Sequence, residues 1–583
     1  MKVRRLLVRH FRGFEEVVLT PSGHVALVGE PGAGRSDIIE ALERVLWAES
    51  TRLRAATDLD FFERDTATRA EVEVVLGDLG DDVEQRFFDH LELWDHERKD
   101  IVADLGDPEL ADRALHDLVV RLCYRIRWNP EEEQPEHWVD YPKSSLPEAE
   151  VFVRVPRGER EAIPFAGRTA GQPLDLKARG VFRRLVEQTD GDDFGSALEE
   201  LQNRIEEVAS GFSRTAQISG VLESVLEAAR VPLGLGSRAA SEVIRFLPEG
   251  GSLAGLLRSL GPAADLGDGG GLIPLHRHGS TVAAIIAAAQ SLAAAGNSGI
   301  AVFDDFGEGL NAAASQHLAA SLRRTVGHVW LSTRRPHVVE AFEIDELTRL
   351  ARSGSGHRVA YCGKRPVTRP ERLAARHLST QLLPAIASRA VIVVEGPHDR
   401  SALAALARRL HDEQGIPLPA AHGITLLDAG TADASGGTTG VTRLTRLARH
   451  LGFRAVALMD HDGPGEQAEH ELAAAIAEAD AVVRLPPRHA IEKALVAGLP
   501  EAVVRAATNE VAGAFRVAAP REVDLLSGDD LLAAVAKFLK QSGGLHAQFV
   551  EALPADHLPP LATRLLDEAV GAANGAKSGH IQL

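Results

Sequence analysis

The stretch Gly29-Glu30-Pro31-Gly32-Ala33-Gly34-Arg35-Ser36 decides the first fold assignment. The apolar run Val25–Val28 precedes it. Apolar residues at helical spacing follow it, at Ile38, Leu42 and Leu46. A buried strand, a glycine-rich loop and a helix are therefore predicted in that order. Glycines let backbone N–H groups approach an anion closely, and a helix N-terminus adds positive potential. The stretch thus predicts an α/β domain that binds phosphate groups.

The loop has the spacing of a P-loop, with Arg35 at the position where lysine is expected. Arginine keeps the positive charge, but its planar guanidinium is less compact than an ammonium group at the crowded β- and γ-phosphates. A glycine turn without a ligand is the alternative interpretation of the loop alone. The predicted cofactor is ATP with Mg²⁺, held by Gly29, Gly32, Gly34, Arg35 and Ser36, of which Ser36 would ligate the ion.

A second segment, Ala301-Val302-Phe303-Asp304-Asp305, resembles a Walker B strand. The resemblance implies that Asp304 holds Mg²⁺. Asp305 stands where ABC ATPases usually carry a glutamate that acts as general base. Because an aspartate reaches about one methylene less far toward the attacking water, hydrolysis is expected to suffer. Glu308 is a candidate substitute.

Other segments resemble parts of DNA-repair ABC ATPases. Phe11-Arg12-Gly13-Phe14 is similar to their opening strand, and a later switch-like segment has Arg334 in place of histidine. Gly279-Ser280 is the candidate for a signature-like turn that one subunit presents to nucleotide across a dimer. The departures at Arg35, Asp305 and Arg334 together favour nucleotide binding over rapid hydrolysis.

Two acidic motifs follow apolar strands later in the chain. In the first, Val393-Val394-Glu395-Gly396-Pro397-His398-Asp399, two carboxylates lie four residues apart. In the second, Leu458-Met459-Asp460-His461-Asp462-Gly463, two acids are expected on the same side because alternate strand residues share a face. A solvated turn is the alternative for the second motif alone. Together they form the pattern of a Toprim domain. Such oxygen ligands suit Mg²⁺ or Mn²⁺, and two such ions can act together on a phosphodiester.

With Ala490-Ile491-Glu492-Lys493 added, the second half of the chain resembles the overcoming-lysogenization-defect (OLD) family, in which an ABC-type ATPase domain is joined to a Toprim nuclease domain. Residues 435–438, Ser-Gly-Gly-Thr, resemble a family loop near the metals. The resemblance implies a two-metal nuclease site with the metal ligands Glu395, Asp399, Asp460, Asp462 and Glu492. Lys493 would stabilise transition-state charge, with an exposed helix lysine as the alternative.

The predicted fold class is multidomain α/β, with an ABC-type P-loop ATPase domain, a helical insertion, a Rossmann-like Toprim domain and a helical C-terminal segment. A heptad-like apolar stripe at 194–208 and a second stripe at 218–226 predict a helical hairpin, either a core pair or a dimerisation element. The predicted boundaries are 1–160 and 246–375 for the two parts of the ATPase domain, 161–245 for the insertion, 376–500 for the Toprim domain and 501–583 for the C-terminal domain.

The composition excludes several classes of protein. The net charge of −19 argues against a uniformly basic DNA-coating protein, because phosphate binding relies on clustered positive charge. Two cysteines are too few for a disulfide framework or a four-thiolate zinc site. The apolar runs fall short of the roughly 20 residues needed to cross a bilayer, so no membrane span is predicted and a cytoplasmic location is expected.

The combined prediction is an ATP-binding, metal-dependent DNA endonuclease or nickase that forms a homodimer through the ATPase domain and the insertion. The OLD resemblance implies a role in phage defence or DNA repair, with an accessory defence protein as a further partner. Covalent strand passage is disfavoured because none of Tyr124, Tyr141 and Tyr361 has an evident winged-helix setting. The alternative is a non-catalytic assembly that senses nucleotide or DNA ends. Clustered carboxylates argue against it, since they repel one another without a cation.

Overall fold

The computed structural model divides the chain into two compact units. The first unit contains Met1–Val28 and Gly32–Cys362, and the second contains Gly29–Pro31 and Gly363–Leu583. The structure describes residues 1–102, 116–167, 215–247, 261–267, 269–353, 356–364, 368–369, 380–430, 437–461, 465–520, 523–541 and 544–583. The predicted apolar stripe at 194–208 and the predicted ligand Asp462 lie outside these residues.

The described part of the first unit contains three sheets. Its strands are β1 (Lys2–Phe11), β2 (Phe14–Leu19), β3 (Val25–Gly29), β4 (Ala70–Gly77), β5 (Leu91–Asp95), β6 (Asp100–Ile101), β7 (His116–Asn129), β8 (Gln134–Asp140), β9 (Phe165–Ala166), β10 (Ile244–Leu247), β11 (Gly261–Ala264), β12 (Ile273–Pro274), β13 (Ile300–Phe303), β14 (His328–Ser332), β15 (Leu347–Arg352) and β16 (Arg358–Cys362). Its helices are α1 (Arg35–Leu46), α2 (Ser50–Leu53), α3 (Asp81–Arg86), α4 (Arg157–Glu161), α5 (Ala216–Leu233), α6 (Ala240–Val243), α7 (Ser280–Ala295), α8 (Ala312–Thr325) and α9 (Pro336–Val339).

The largest sheet of the first unit is antiparallel, with the strand order β2-β1-β4-β7-β5-β6 and β8 added beside β7. Its inner strands alternate in burial, as in β4, where Ala70, Val72 and Val74 are buried and Glu71 and Glu73 are not. This alternation places one apolar face against the core of the unit. Strands β10, β11 and β12 form a small separate antiparallel sheet.

The second sheet of the first unit has the order β16-β15-β3-β14-β13-β9, and β3, β14, β13 and β9 run parallel. All five residues of β3 are buried, as expected for a strand covered on both faces. Helix α1 lies between this sheet and the antiparallel one, and its residues Ile38, Ile39 and Leu42 are fully buried in their shared core. The predicted strand, loop and helix around residues 29–36 are confirmed. Helix α5 confirms the helix predicted from the stripe at 218–226.

The described part of the second unit contains one parallel sheet with helices packed against it. Its strands are β17 (Ala390–Val394), β18 (Ile424–Asp428), β19 (Arg454–Met459), β20 (Ala481–Arg484) and β21 (Gly579–Gln582). Its helices are α10 (Pro397–Gln414), α11 (Gly437–His450), α12 (Glu466–Glu478), α13 (Ile491–Val496), α14 (Glu501–Phe515), α15 (Gly528–Gln541), α16 (His546–Ala552) and α17 (Pro560–Ala573). The strand order is β18-β17-β19-β20-β21, and every pair is parallel.

Residues 501–583 belong to the same compact unit as this sheet. Apolar residues of the C-terminal helices, such as Leu539, Phe549 and Leu565, share one core with strand residues such as Ile392 and Val456. The chain then ends in β21, which extends the sheet beside β20. The helical character expected for this segment is confirmed, but its last strand was not predicted. The structure therefore shows no division between compact units at residue 500.

No helix in the described part of the chain combines the length and the apolar character that a membrane span requires. The longest helices, α5 and α10, each contain 18 residues. Helix α10 carries charged residues along its length, including Arg400, Arg408 and Glu413.

Candidate functional site

In the first unit, residues Gly32–Ser36 of the glycine-rich loop and two later segments meet at the carboxyl edge of the parallel strands. The loop follows β3, Asp304 follows β13 and Thr333 follows β14. Strand β14 lies between β3 and β13, with Trp330 opposite both Val25 and Val302 in the parallel register. Because all three strands run in one direction, the segments that follow them come together at the same edge.

The backbone of the loop requires its glycines. Gly32 and Gly34 have φ of 77° and 94°, in the left-handed region. A Cβ atom on Gly34 would lie 2.8 Å from Phe14 Cε2, so a side chain there would meet both strain and a clash. Asp37 in the first turn of α1 accepts a hydrogen bond from Arg12 Nη1 at 3.1 Å. The start of the helix is thereby tied to the turn between β1 and β2.

Ser36 and Asp304 lie together, as the resemblance to a magnesium-nucleotide site implies. Ser36 Oγ donates to Asp304 Oδ1 at 3.0 Å, and Ser332 Oγ donates to the same oxygen at 2.6 Å. Arg35 turns toward the switch-like segment, where its Nη1 donates to the Thr333 carbonyl at 3.0 Å. Burial lowers the pKa of the Arg35 guanidinium more than the nearby Asp305 raises it. The arginine in the lysine position therefore has a protein partner.

Asp305 is held by the residue at the other atypical position, Arg334. Arg334 Nε donates to Asp305 Oδ1 at 3.2 Å, and Nη2 donates to Oδ2 at 3.0 Å. Asp305 also has a φ of 47°, which is strained for a residue with a side chain, and its N–H donates to Ser332 Oγ at 2.7 Å. These two residues line a pocket of about 220 Å³ together with Phe306, Glu308 and Arg335.

The candidate turn Gly279-Ser280 lies beside the loop that follows Asp305. Gly279 is the N-cap of α7, and Ser280 is its first residue. A Cβ atom on Gly309 would lie 3.3 Å from Ser280 Cβ, and Thr281 Oγ1 donates to the Gly309 carbonyl. The turn therefore packs on this loop within one chain, and its contribution to a nucleotide across a dimer stays a prediction.

In the second unit, Glu395 and Asp460 follow the neighbouring parallel strands β17 and β19. The Asp460 N–H donates to Glu395 Oε1 at 3.2 Å. Both strands are apolar and fully buried apart from Arg454 at the start of β19, so the first acidic residue stands where each strand leaves the core. The structure thus brings together the leading acids of both sequence motifs.

Asp399 lies in the first turn of α10, where its Oδ2 accepts a hydrogen bond from the Gly396 N–H at 2.9 Å. Burial, with a smaller contribution from the charge of Glu492, raises the pKa of Asp399 to about 6. Glu492 comes from α13, about ninety residues later, and its exposed fraction is only 8%. Two carboxyl groups from different helices are therefore close enough to repel each other when both are charged.

A histidine and a lysine from the C-terminal helices face Glu492. His546 Nε2 lies 3.4 Å and Lys540 Nζ 3.9 Å from Glu492 Oε1. Burial raises the pKa of Glu492, but its contacts with His546 and Lys540 outweigh burial and leave the pKa lowered. The sequence interpretation missed both residues. The available signal was weak, because one lysine and one histidine among other polar residues of amphipathic helices do not stand out in a sequence.

Lys493, the predicted transition-state stabiliser, lies elsewhere. It is exposed, and its Nζ donates to the Arg488 carbonyl at 2.9 Å. The neighbour of Glu492 in sequence therefore does not contact the acids, whereas Lys540 does. The hydroxyl-rich loop at 435–438 lies partly outside the described residues, which resume at Gly437.

The acids present fit a magnesium or manganese ion by chemistry. Their donors are carboxylate oxygens, and burial beside Glu492 makes the charged form of Asp399 unfavourable unless a cation compensates it. Within the residues that the structure describes, no group of three or more His, Cys, Asp or Glu side chains is placed to hold one ion. Asp462, the remaining predicted ligand, lies outside them.

Residues 387–462 match the family model of the overcoming lysogenization defect protein-like TOPRIM domain. This match contains β17, β18 and β19 and therefore the acids Glu395, Asp399, Asp460 and Asp462. The TOPRIM assignment of this segment agrees with its parallel sheet and supports a nuclease-type enzyme. The match ends before Glu492, so the helices that supply Glu492, Lys540 and His546 lie beyond the matched TOPRIM segment.

The other comparisons add little to this assignment. No curated protein sequence matches the chain. Among solved structures, the chain is similar to a structure described as "Crystal structure of the SmcHead bound to the C-winged helix domain of ScpA". The alignment covers 62% of this chain and 97% of that chain, with 15% sequence identity and a TM-score of 0.34. A TM-score of this size does not establish a common fold.

Proposed function

We propose that this protein hydrolyses phosphodiester bonds in DNA at the TOPRIM strand edge with divalent metal ions. The observation that carries the proposal is the meeting of Glu395 and Asp460 at the ends of adjacent parallel strands, inside the matched segment. Mg²⁺ or Mn²⁺, when bound, would activate water and stabilise the leaving oxygen. The chain supplies carboxylates to hold such ions.

Each acid has a distinct place in this proposal. Glu395 and Asp460 would hold a cation from the two strand ends, and Asp462 joins them on the strength of the sequence motif alone. Asp399 and Glu492 would contribute from α10 and α13, where burial excludes water and makes a bound cation favourable. Lys540, at 3.9 Å from Glu492, adds positive potential near the negatively charged phosphate backbone of DNA.

In the first unit we propose ATP binding with slow turnover. The loop from Gly29 to Ser36 would hold the phosphates, and Ser36 with Asp304 would hold Mg²⁺. Asp305 occupies the position of the general base, but its carboxylate is engaged on both oxygens by Arg334. A carboxylate with both oxygens occupied is less available to an attacking water, which supports retention of nucleotide over hydrolysis.

The homodimer, the accessory partner and the role in phage defence or DNA repair remain part of the proposal through the sequence resemblance alone. The ion pair at Asp305 also favours the second candidate, an assembly that senses nucleotide or DNA ends without catalysis. The two candidates differ in one respect, since only the first requires the acids of the TOPRIM domain to act on DNA.

The test is cleavage of supercoiled and linear DNA by the full-length protein with Mg²⁺ or Mn²⁺, with and without ATP. Asp460→Ala removes an acid from the carboxyl edge of the sheet. Asp480→Asn is the matched control, because Asp480 Oδ2 accepts the Ala455 N–H at 2.8 Å at the opposite, amino edge of the same sheet.

We expect the wild-type protein and Asp480→Asn to cut DNA and Asp460→Ala to lose cutting. Equal cutting by Asp460→Ala and the wild type would place the nuclease activity elsewhere. A folded wild type that cuts neither substrate with either metal would favour the sensing assembly.

A further inference from the structure

His546 is a buried histidine that faces a buried carboxylate. It is the first residue of α16, and its exposed fraction is 1%. Nε2 lies 3.4 Å from Glu492 Oε1. Neither ring nitrogen makes a hydrogen bond of good geometry within the described residues, and Nδ1 has no polar partner there. In the tautomer with the proton on Nε2, the N–H would face Glu492 across this gap.

The position of the ring is fixed by α10, the helix that carries Asp399. The rings of His546 and His398 are parallel, with an interplanar angle of 3° and centroids 5.4 Å apart. Arg409 of α10 donates to the Val550 carbonyl at 2.9 Å. This bond attaches α16 to α10 one turn of α16 beyond His546. One face of His546 is therefore packed against the neighbour of Asp399, while its edge is directed at Glu492.

We infer that His546 is a positioning residue that orients the Glu492 carboxylate for a divalent cation shared with Asp399. The inference rests on the proposed function, because it assigns the partner of one proposed metal ligand. Residues that donate hydrogen bonds to metal ligands fix their orientation, and their loss typically lowers metal affinity or activity about 10- to 100-fold. A buried imidazole with no such role would be costly, since its polar nitrogens lose water without gaining a partner.

A second buried residue of α16 allows the positioning role of His546 to be distinguished from a role in packing alone. Phe549, three residues along the same helix, is fully buried and apolar. It belongs to the core formed with α10 and α17 and has no polar atom to offer Glu492. A substitution at Phe549 therefore disturbs the packing of α16 against the core without removing an N–H donor near Glu492.

The experiment measures binding of Mn²⁺ alone to the metal-free full-length protein, by the loss of the free-ion signal in electron paramagnetic resonance. His546→Phe keeps a ring and removes both nitrogens. His546→Gln places an amide N–H near the position of Nε2. Phe549→Leu is the packing control, and thermal melting of each protein monitors folding.

We expect His546→Phe to bind Mn²⁺ about tenfold more weakly or worse, and His546→Gln to stay within about threefold of the wild type. Phe549→Leu should lower the melting temperature and keep the affinity. If His546→Phe does not fold, His546→Asn replaces it, because its shorter amide ends near Nδ1 and does not reach Glu492.

Wild-type affinity in a variant without the Nε2 donor would overturn the role of His546. Equal losses in that variant and in Phe549→Leu would also overturn it, because packing would then account for both. A wild-type protein that binds no Mn²⁺ would contradict the proposed function itself, and this outcome is distinguishable because it appears before any substitution is made.

Discussion

The carboxyl edges of the two parallel sheets carry acids in opposite electrostatic settings. In the first unit, Asp304 accepts hydrogen bonds from two serine hydroxyls, and Asp305 is bound at both oxygens by Arg334. In the second unit, Asp399 is half-buried, and burial with a smaller contribution from the charge of Glu492 raises its pKa to about 6. The charge of Asp305 is thus balanced by an arginine, whereas the charged form of Asp399 remains unfavourable, mostly because of burial and partly because of Glu492.

This difference bears on what each edge requires from a ligand. Asp305 is already paired with Arg334 and gains little from a further cation, which fits the proposed retention of nucleotide at the first edge. Asp399 gains more, because a cation offsets both the cost of burying its charge and the repulsion from Glu492. Similar arrangements of parallel strands are therefore compatible with the two proposed roles, retention of nucleotide in the first unit and metal-dependent chemistry in the second.

The largest effect that would test this comparison is expected from Glu395→Gln, which removes one charge at the second edge and nearly preserves the shape. Metal ions supply several kilocalories per mole of transition-state stabilisation, so loss of a ligand should lower DNA cleavage at least about a hundredfold. ATP binding should be unchanged. Asp304→Asn is the reciprocal variant, with weaker ATP binding and unchanged cleavage in the absence of ATP. Parallel losses in both assays would show that the two edges are not independent.

The next effect is expected from Gly34→Val, which tests whether the loop of the first unit binds nucleotide. A branched side chain at a φ of 94°, with its Cβ 2.8 Å from Phe14, must displace the loop. Strain of about 2 kcal/mol or more should weaken ATP binding about thirtyfold. The measurement is titration with a fluorescent ATP analogue. Gly80→Ala is the control, because Gly80 has an extended backbone and nothing lies near its Cβ position. Unchanged ATP affinity in Gly34→Val would contradict the assignment of the loop.

A third variant, Asp399→Asn, measures the cost of holding a charged carboxylate at this position, which comes mostly from burial and partly from the charge of Glu492. In the wild-type protein, the pKa of Asp399 is higher in the folded state than its ordinary value of 3.8. The folded state therefore binds the proton more tightly, and the wild-type protein loses stability as the pH rises toward about 6. Above that pH the full loss of folding stability caused by the charged Asp399 is present. Without metal, Asp399→Asn should therefore stabilise the fold by roughly 2 kcal/mol near neutral pH and have little effect near pH 4.

Chemical denaturation of the metal-free protein at both pH values checks this prediction. Adding Mn²⁺ should reverse the order of stability, because the asparagine is a poorer ligand than the carboxylate. An Asp399→Asn protein that is less stable at neutral pH without metal would show that the carboxylate is already compensated.

The smallest effect is expected from Arg334→Ala, which releases Asp305 at the first edge. ATP turnover should rise about tenfold, because an unpaired carboxylate is a better acceptor for the proton of water. The ion pair is partly exposed, with side-chain exposed fractions of 51% and 35%, so stability should change by less than about 1 kcal/mol. Arg335→Ala is the control, since Arg335 lines the same pocket outside this pair. If Arg334→Ala turns over ATP at the wild-type rate, the Asp305–Arg334 ion pair is not the cause of slow hydrolysis.

Local sequence alone determined several elements of this protein. The strand, glycine loop and helix around Gly29–Ser36 follow from apolar periodicity and from conformations that only glycine adopts easily. The strands before Glu395 and Asp460 follow in the same way from short apolar runs that end in acids. Because parallel strands end at a common edge, the approach of these acids could also be predicted.

The tertiary structure alone decided the partners of the acids. The bidentate pair of Asp305 and Arg334 joins residues from two different strands' ends, and the contacts of Glu492 with Lys540 and His546 join helices about fifty residues apart. Lys493 was the nearest lysine in sequence, yet its side chain binds a backbone carbonyl instead. The helical periodicity specified which residues face a core, but side-chain pairing depends on how distant elements pack, and no local pattern encodes that.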